Sequence, residues 1–276
     1  MIVSPFTPLF FINRKTDGID SEYVQTFATT DNILLEIFGN KEYKINAQVI
    51  DECRGSILYE ISFNKWEMNE SVCLYFHSIT LSPGLYSVNI EGYGKSETFR
   101  VTDDERVLRK TTLIQYANLT NCQRNDVVFL IDGIQYFFDF RVPGGFKDSN
   151  WTFGVENEQF VTDKSDIVQL FAMDSTQRKF TLGTSQGCPI WFAEQLNRLL
   201  CCTYVYFDGV RYARKETAVP EINVQLEGLN SFVFTQNLQQ VNNIDPTIEN
   251  NNQAIIRRID STLYRISTTN INRLIH

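Results

Sequence analysis

Lys179-Phe-Thr-Leu-Gly-Thr-Ser-Gln-Gly-Cys-Pro-Ile-Trp-Phe192 decides how this chain is read. Arg178 to Leu182 reads as a strand. The glycines at 183 and 187 then supply the backbone freedom of a tight turn, and Pro189 stands where a first-turn helix proline belongs, because its missing N–H has no helical partner there. Trp191, Phe192, Gln195, Leu196 and Leu199 recur at helical spacing, which predicts a helix over 189–201 that lays this face on a sheet and buries Trp191. Asp208-Gly209 follows as a two-residue hairpin turn between Thr203–Phe207 and Val210–Ala213, and after Pro220 the runs Ile222–Leu226 and Ser231–Leu238 supply the last strands. A strand, tight turn, helix, hairpin and long strand make a scaffold with no reactive constellation in it.

Upstream of this stretch the text is that of a β protein. The chain has 276 residues with 21 Phe and 12 Tyr, a length that favours two domains and a composition that favours strands. From Asn32 to Thr102 short strands succeed one another (32–38, 43–50, 56–63, 71–79, 85–91 and 97–101), separated by turn formers such as Gly39-Asn40, Arg54-Gly55 and Ser82-Pro-Gly84. That rhythm predicts an antiparallel Greek-key β-sandwich over 1–105. Leu81-Ser-Pro-Gly-Leu-Tyr86 resembles a tyrosine corner, in which the Tyr86 hydroxyl would bond back to the backbone near Leu81. The charged junction Asp103-Asp-Glu-Arg106 marks the boundary to a second, barrel-like β domain over 106–241 with one packed helix.

In that second unit Asp132-Gly133 is another hairpin signal, and Gln135–Val142 reads as the return strand. Pro143-Gly144-Gly145 is expected to end it, since proline lacks a ladder donor. Lys147–Asp163, polar and dotted with aromatics, reads as a long surface loop in which Phe146, Trp151, Phe153 and Phe160 are contact residues. Three uses fit such a loop: a protein interface, self-packing, or glycan binding. Residues 242–276 read as an Asn/Gln-rich connector followed by an amphipathic helix. Its stripe of Ile256, Ile259, Leu263 and Ile266 would dock on a neighbouring subunit or fold back on its own domain.

Several chemistries find little footing. The net charge of −8 disfavours a phosphate-tracking surface, so nucleic acid is not expected as a main partner. No apolar run reaches the roughly 20 residues that span a bilayer. The start, Met1–Asn13, lacks a basic leader region and carries Pro5 and Pro8, so synthesis in the cytoplasm without export is the expectation. There are two histidines, His77 on an alternating strand and the terminal His276, and no Cys/His spacing matches a zinc site. Asp163-Lys-Ser-Asp166 lacks the oxygen spacing of a calcium loop. Gly183–Gly187 lacks the Lys-Ser/Thr of a phosphate-cradling loop. No metal, cofactor or catalytic residue is assigned. The six cysteines show no CxxC pair and are expected as reduced, buried thiols.

Leu113-Ile-Gln-Tyr-Ala-Asn118, Phe137-Phe-Asp-Phe-Arg-Val-Pro-Gly-Gly-Phe146, the 181–192 stretch and Val205-Tyr-Phe-Asp-Gly-Val-Arg-Tyr-Ala-Arg214 together resemble a family of tailed phages and prophages of gut Bacteroidetes. Its members are virion tail or baseplate components, and the order over 178–238 is similar to the ring-forming barrel of distal tail proteins. The resemblance covers about 110–240 and implies a structural, non-enzymatic protein in a virion tail. Its partners would be copies of itself and other tail proteins. Two rivals are a carbohydrate-binding module or surface adhesin and a glycan-cleaving enzyme with paired acids.

Overall fold

The computed structural model of the chain describes residues 1–11, 23–185, 187–215, 221–226, 231–241, 255–259, 262–266 and 274–275. It is mostly β, as the aromatic and β-branched composition implies. The first strands are β1 (Ile2–Val3), β2 (Gln25–Ala28), β3 (Ile33–Asn40), β4 (Ala47–Asp51), β5 (Ser56–Glu60), β6 (Asn64–Glu67), β7 (Val72–Ile79), β8 (Gly84–Ile90), β9 (Gly94–Lys95) and β10 (Phe99–Thr102). They form two sheets, β1-β3-β7-β6 and β2-β10-β8-β4-β5 with β9 on β8. The chain crosses repeatedly between them, so inward side chains such as Phe27, Leu35, Ile37, Val49, Val88 and Phe99 share one core. One pairing departs from the antiparallel expectation, because β10 runs parallel to β2.

Tyr86 is buried on β8, but its hydroxyl makes no bond to the Leu81 backbone among the described residues. It lies over Gly84, where an added Cβ would sit 2.6 Å from the phenol oxygen. The corner role belongs to Tyr75 on β7, whose hydroxyl reaches the carbonyls of Asn40 (2.9 Å) and Tyr43 (3.0 Å) in the turn after β3. Both tyrosines sit on strands of the sandwich. What separates them is the turn each faces, and sequence spacing does not show it.

A single-turn helix, α1 (Glu105–Leu108), capped by the Asp104 carboxylate on Arg106 N, leads out of the sandwich. Next come β11 (Thr111–Ala117), the short hairpin β12 (Leu130–Ile131) and β13 (Ile134–Gln135), and the long strands β14 (Phe138–Val161) and β15 (Ile167–Leu182). After α2 (Ile190–Leu199) come β16 (Tyr204–Phe207), β17 (Val210–Arg214), β18 (Glu221–Leu226) and β19 (Ser231–Gln240). β15 pairs with both β14 and β19, so the antiparallel ring β14-β11-β16-β17-β19-β15 closes on itself. Closure removes free edges from this part of the sheet. Its interior holds Ile114, Phe138, Phe140, Phe180, Leu182, Phe207, Phe234 and Leu238, and the α2 residues Phe192, Ala193, Leu196 and Leu199 join the same core. Asp132 (φ 51°) with Gly133 (φ 80°) and Asp208 (φ 46°) with Gly209 (φ 82°) make the two expected hairpin turns.

The two units are pinned together by buried polar groups. Arg141 on β14 makes a bidentate pair with Asp31 (2.7 and 2.8 Å), and Asp139 accepts from Asn32 N and Gln115 Nε2, both at 2.8 Å. β3 is buried on both faces, one toward the sandwich core and the other toward the barrel. Glu36 on the barrel side accepts from Val128 N, and burial pushes its carboxyl well above the usual range. The N-terminal segment straps the joint: Arg198 Nη1 donates to Pro5 O (2.8 Å), Tyr116 donates to Phe6 O, and Phe6 lies in the barrel core.

Residues 242–254, the Asn/Gln-rich connector, lie outside the described residues. The helix expected beyond it is not formed. β20 (Ile255–Ile259) and β21 (Thr262–Ile266) pair antiparallel in register from Ile255↔Ile266 to Ile259↔Thr262, with β22 (Leu274–Ile275) against β21. Ile256 and Ile259 therefore stand on β20, and Leu263 and Ile266 on β21. The stripe of period 3 to 4 is overridden by β-branched and aromatic content split by two polar residues, a composition that suits a hairpin better than a helix.

Candidate interaction surface

β14 is 24 residues long and β15 is 16, far beyond the ordinary strand of about five or six. Neither Pro143-Gly144-Gly145 nor the expected loop over 147–163 interrupts them. Gly144 is what lets β14 pass through: its φ is +113°, and a Cβ there would lie 2.1 Å from Thr181 O. Only glycine fits both conditions. Pro143 needs no ladder donor at that point, and its carbonyl accepts from Gly183 N (2.9 Å). Gly145 is ordinary by comparison, with only Thr112 Oγ1 at 3.4 Å from its added Cβ.

Among the described residues, the two strands beyond the barrel pair only with each other. β14 leaves β11 after Pro143 and β15 meets β19 only from Thr176 onward, while β14 and β15 stay paired out to Val161↔Ile167, with register shifts between Phe146 and Trp151 and between Glu158 and Gln159. From Trp151 to Val161 this two-stranded arm extends roughly 33 Å at about 3.3 Å per residue. Its tip is a turn in which Ser165 (φ 62°) donates to Thr162 O, and Asp166 N donates to Thr162 Oγ1 (3.1 Å). The alternation Trp151-Thr-Phe153-Gly-Val155 is the sequence signal of the strand, and its polar flanks disguised it as loop.

At the arm's base an aromatic ladder runs from the core outward. Phe207 meets Tyr212, Tyr212 stacks on Phe146 (4.7 Å, 25°), and the Arg178 guanidinium lies 4.4 Å from the Phe146 ring and 3.9 Å from the Trp151 ring. Trp151 stacks in turn on Phe153 (5.9 Å, 15°). Phe146 is thus half-buried and joins the barrel core rather than solvent. Trp151, Phe153 and Phe160 are exposed, Phe153 to 75%. So are Val155, Val161, Ile167, Leu170 and Met173, which makes eight of the sixteen exposed large apolar side chains among the described residues. Sequence reading caught three of these eight. The β15 residues carry no surface signal of their own, because the sequence of their partner strand reads as loop.

Trp191 is half-buried, stacked on Phe10 (4.9 Å, 10°) and against Phe192 and Phe140, so it is a packing residue at the core's margin. Gly187 (φ 71°) closes the turn by donating to Thr184 O, and Pro189 stands at the N-cap of α2. Cys73 and Cys188 are buried, but Cys53, Cys122 and Cys201 are exposed, because they fall in turns and at a helix end rather than on inward strand positions. Burial pushes the Cys188 thiol up to about 12, which keeps it protonated and inert. Among the described residues no three or more His, Cys, Asp or Glu side chains gather as metal ligands, and no helix is long and apolar enough to cross a membrane.

No family model and no curated protein matches this chain. Two solved structures align with it. The crystal structure of the ZIG-8 IG1 homodimer is 6% identical with a TM-score of 0.16, over 32% of this chain and 84% of that one. The crystal structure of Dpr2 Ig1-Ig2 in complex with DIP-Theta Ig1-Ig3 is 9% identical with a TM-score of 0.18, over 83% and 90%. At those scores neither likeness carries an argument about fold or function.

Proposed function

We propose that this chain is a non-enzymatic structural component of a phage tail, baseplate or related virion assembly, working through protein–protein contacts in a ring-like oligomer. The observation that carries the reading is the projecting arm, a two-stranded ribbon that holds half of the exposed large apolar side chains among the described residues and has no core behind it. Large apolar side chains gathered on one exposed ribbon are costly on an isolated monomer and useful at an interface. The barrel with one packed helix supports the reading, as does the family resemblance over 110–240. Arms that reach from one subunit to the next in a single sense close a ring. Its location would be the virion, and its partners copies of itself and neighbouring tail proteins.

The test is to join Gly154 to Ser175, which are paired across β14 and β15, by an Asp-Gly turn, deleting the outer arm. Light scattering and negative-stain microscopy of the full chain should show a ring, and the arm-deleted chain should be a folded monomer. A full-length protein that stays monomeric at high concentration overturns the reading. One observation favours a second reading, a glycan-binding adhesin: Trp151 and Phe153 present two nearly parallel, exposed rings on one strand. Glycan-array binding abolished by Trp151→Ala would support it.

A further inference from the structure

The arm is polarised in charge. From Trp151 to Asp174 it carries five acids, Glu156, Glu158, Asp163, Asp166 and Asp174, against Lys164 alone. Its base carries the opposite sign. Arg178 and Arg214 flank Leu238 in register across β15, β19 and β17, and Lys179 lies opposite Asn237, whose carbonyl Lys215 N approaches. None of these four cations has a carboxylate within ion-pair distance among the described residues. Arg214 bonds Asn197, and Lys215 bonds the Gln177 side chain at 2.7 Å. Some exposed cations elsewhere are paired, as Arg106 is with Asp104 and Arg109 with Glu105, while Lys44, Arg100 and Lys110 make no ion pair among the described residues.

We propose that the acidic tip of one copy's arm seats on the basic arm base of a second copy, with Asp163 and Asp166 facing Lys179 and Lys215 and the apolar side chains packing between them. The proposal rests on the assembly reading and names its contact. A second copy is the partner because the two halves of this one arm are complementary to each other and cannot meet within a chain, since a paired ribbon holds tip and base roughly 40 Å apart. Arg178, clamped between the Phe146 and Trp151 rings, is held in place before the partner arrives, the setting in which arginine contributes most to an interface. A tip-to-base contact is heterologous, so repeating it closes a ring.

Charge reversal with rescue tests it. Lys179→Glu/Lys215→Glu and Asp163→Lys/Asp166→Lys should each weaken self-association of the full chain about tenfold or more, and the four changes combined should restore it to within about threefold. Unaltered protein should also dissociate as NaCl is raised from 50 to about 500 mM, a measurement that needs no variant to fold. If arm deletion abolishes assembly while both reversals and salt leave it unchanged, the contact is wrong and the assembly reading stands. If the unaltered chain does not assemble at low salt, both fall.

Discussion

The β3–β7 ladder of the sandwich and the outer half of the β14–β15 ladder are the same kind of object, two antiparallel strands rich in aromatic and branched side chains. Their surroundings differ completely. β3 is buried over seven of its eight residues, with the sandwich core on one face and the barrel on the other. The arm has solvent on both faces, yet it keeps Phe153, Val155, Ile167 and Leu170 exposed. An apolar side chain in β3 is explained by the fold it stabilises. One in the arm is not, since an isolated two-stranded ribbon is marginal in water and gains little from them. The contrast separates residues that hold this molecule together from residues kept for another.

The sharpest way to break that contrast is at Gly144, where the two regimes meet. Gly144→Ala must place a Cβ against Thr181 O at a φ of +113°, so strain and overpacking should together cost roughly 2–6 kcal/mol. Gly145→Ala, one residue on, should cost below about 1 kcal/mol. Chemical denaturation of the two variants checks the pair, and equal losses would mean that the crossing at Gly144 is not what anchors the arm to the barrel.

Six strands of the sandwich were legible because alternation and turn residues agree there, whereas β1, β2, β6 and β9, each four residues or fewer, carry too little pattern to read. The turn 183–187 and α2 were legible for the same reason: glycine, proline and a 3.6-residue stripe agree. The arm was not, since its alternation is confined to Trp151–Val155 between polar flanks, and Pro143-Gly144-Gly145 carries the usual signature of a strand end. The segment around Ile256 to Ile266 misled in the opposite sense, as five-residue strands sample too few positions to separate a period of 2 from one of 3.6. Ile167 to Met173 reads as a strand from sequence, but its place on the candidate surface follows only from its pairing with β14.

A smaller effect tests which tyrosine does the corner's work inside the sandwich. Tyr75→Phe removes the donor that reaches the Asn40 and Tyr43 carbonyls and should cost roughly 1–3 kcal/mol. Tyr86→Phe removes a hydroxyl that the turn at Leu81 does not use, and should cost less than about 0.5 kcal/mol. Thermal melts in which Tyr86→Phe proved the costlier change would return the corner to Leu81.

The smallest expected change in stability tests the comparison from the arm's side. Phe153 is 75% exposed and touches Trp151 across a stacked pair, so Phe153→Ser removes little packing and should leave the melting temperature of the monomer within the change set by about 0.5 kcal/mol. The same substitution should weaken self-association strongly, because an aromatic beside a clamped arginine is the side chain that an interface uses most. A buried counterpart such as Ile37→Ala should behave in reverse, costing roughly 2–5 kcal/mol of stability while leaving whatever folds able to assemble. Melting curves and light scattering on the same two samples decide it. If Phe153→Ser lowers the melting temperature as much as Ile37→Ala and leaves association intact, then the arm's apolar residues serve the fold after all, and the division between the two ladders is lost.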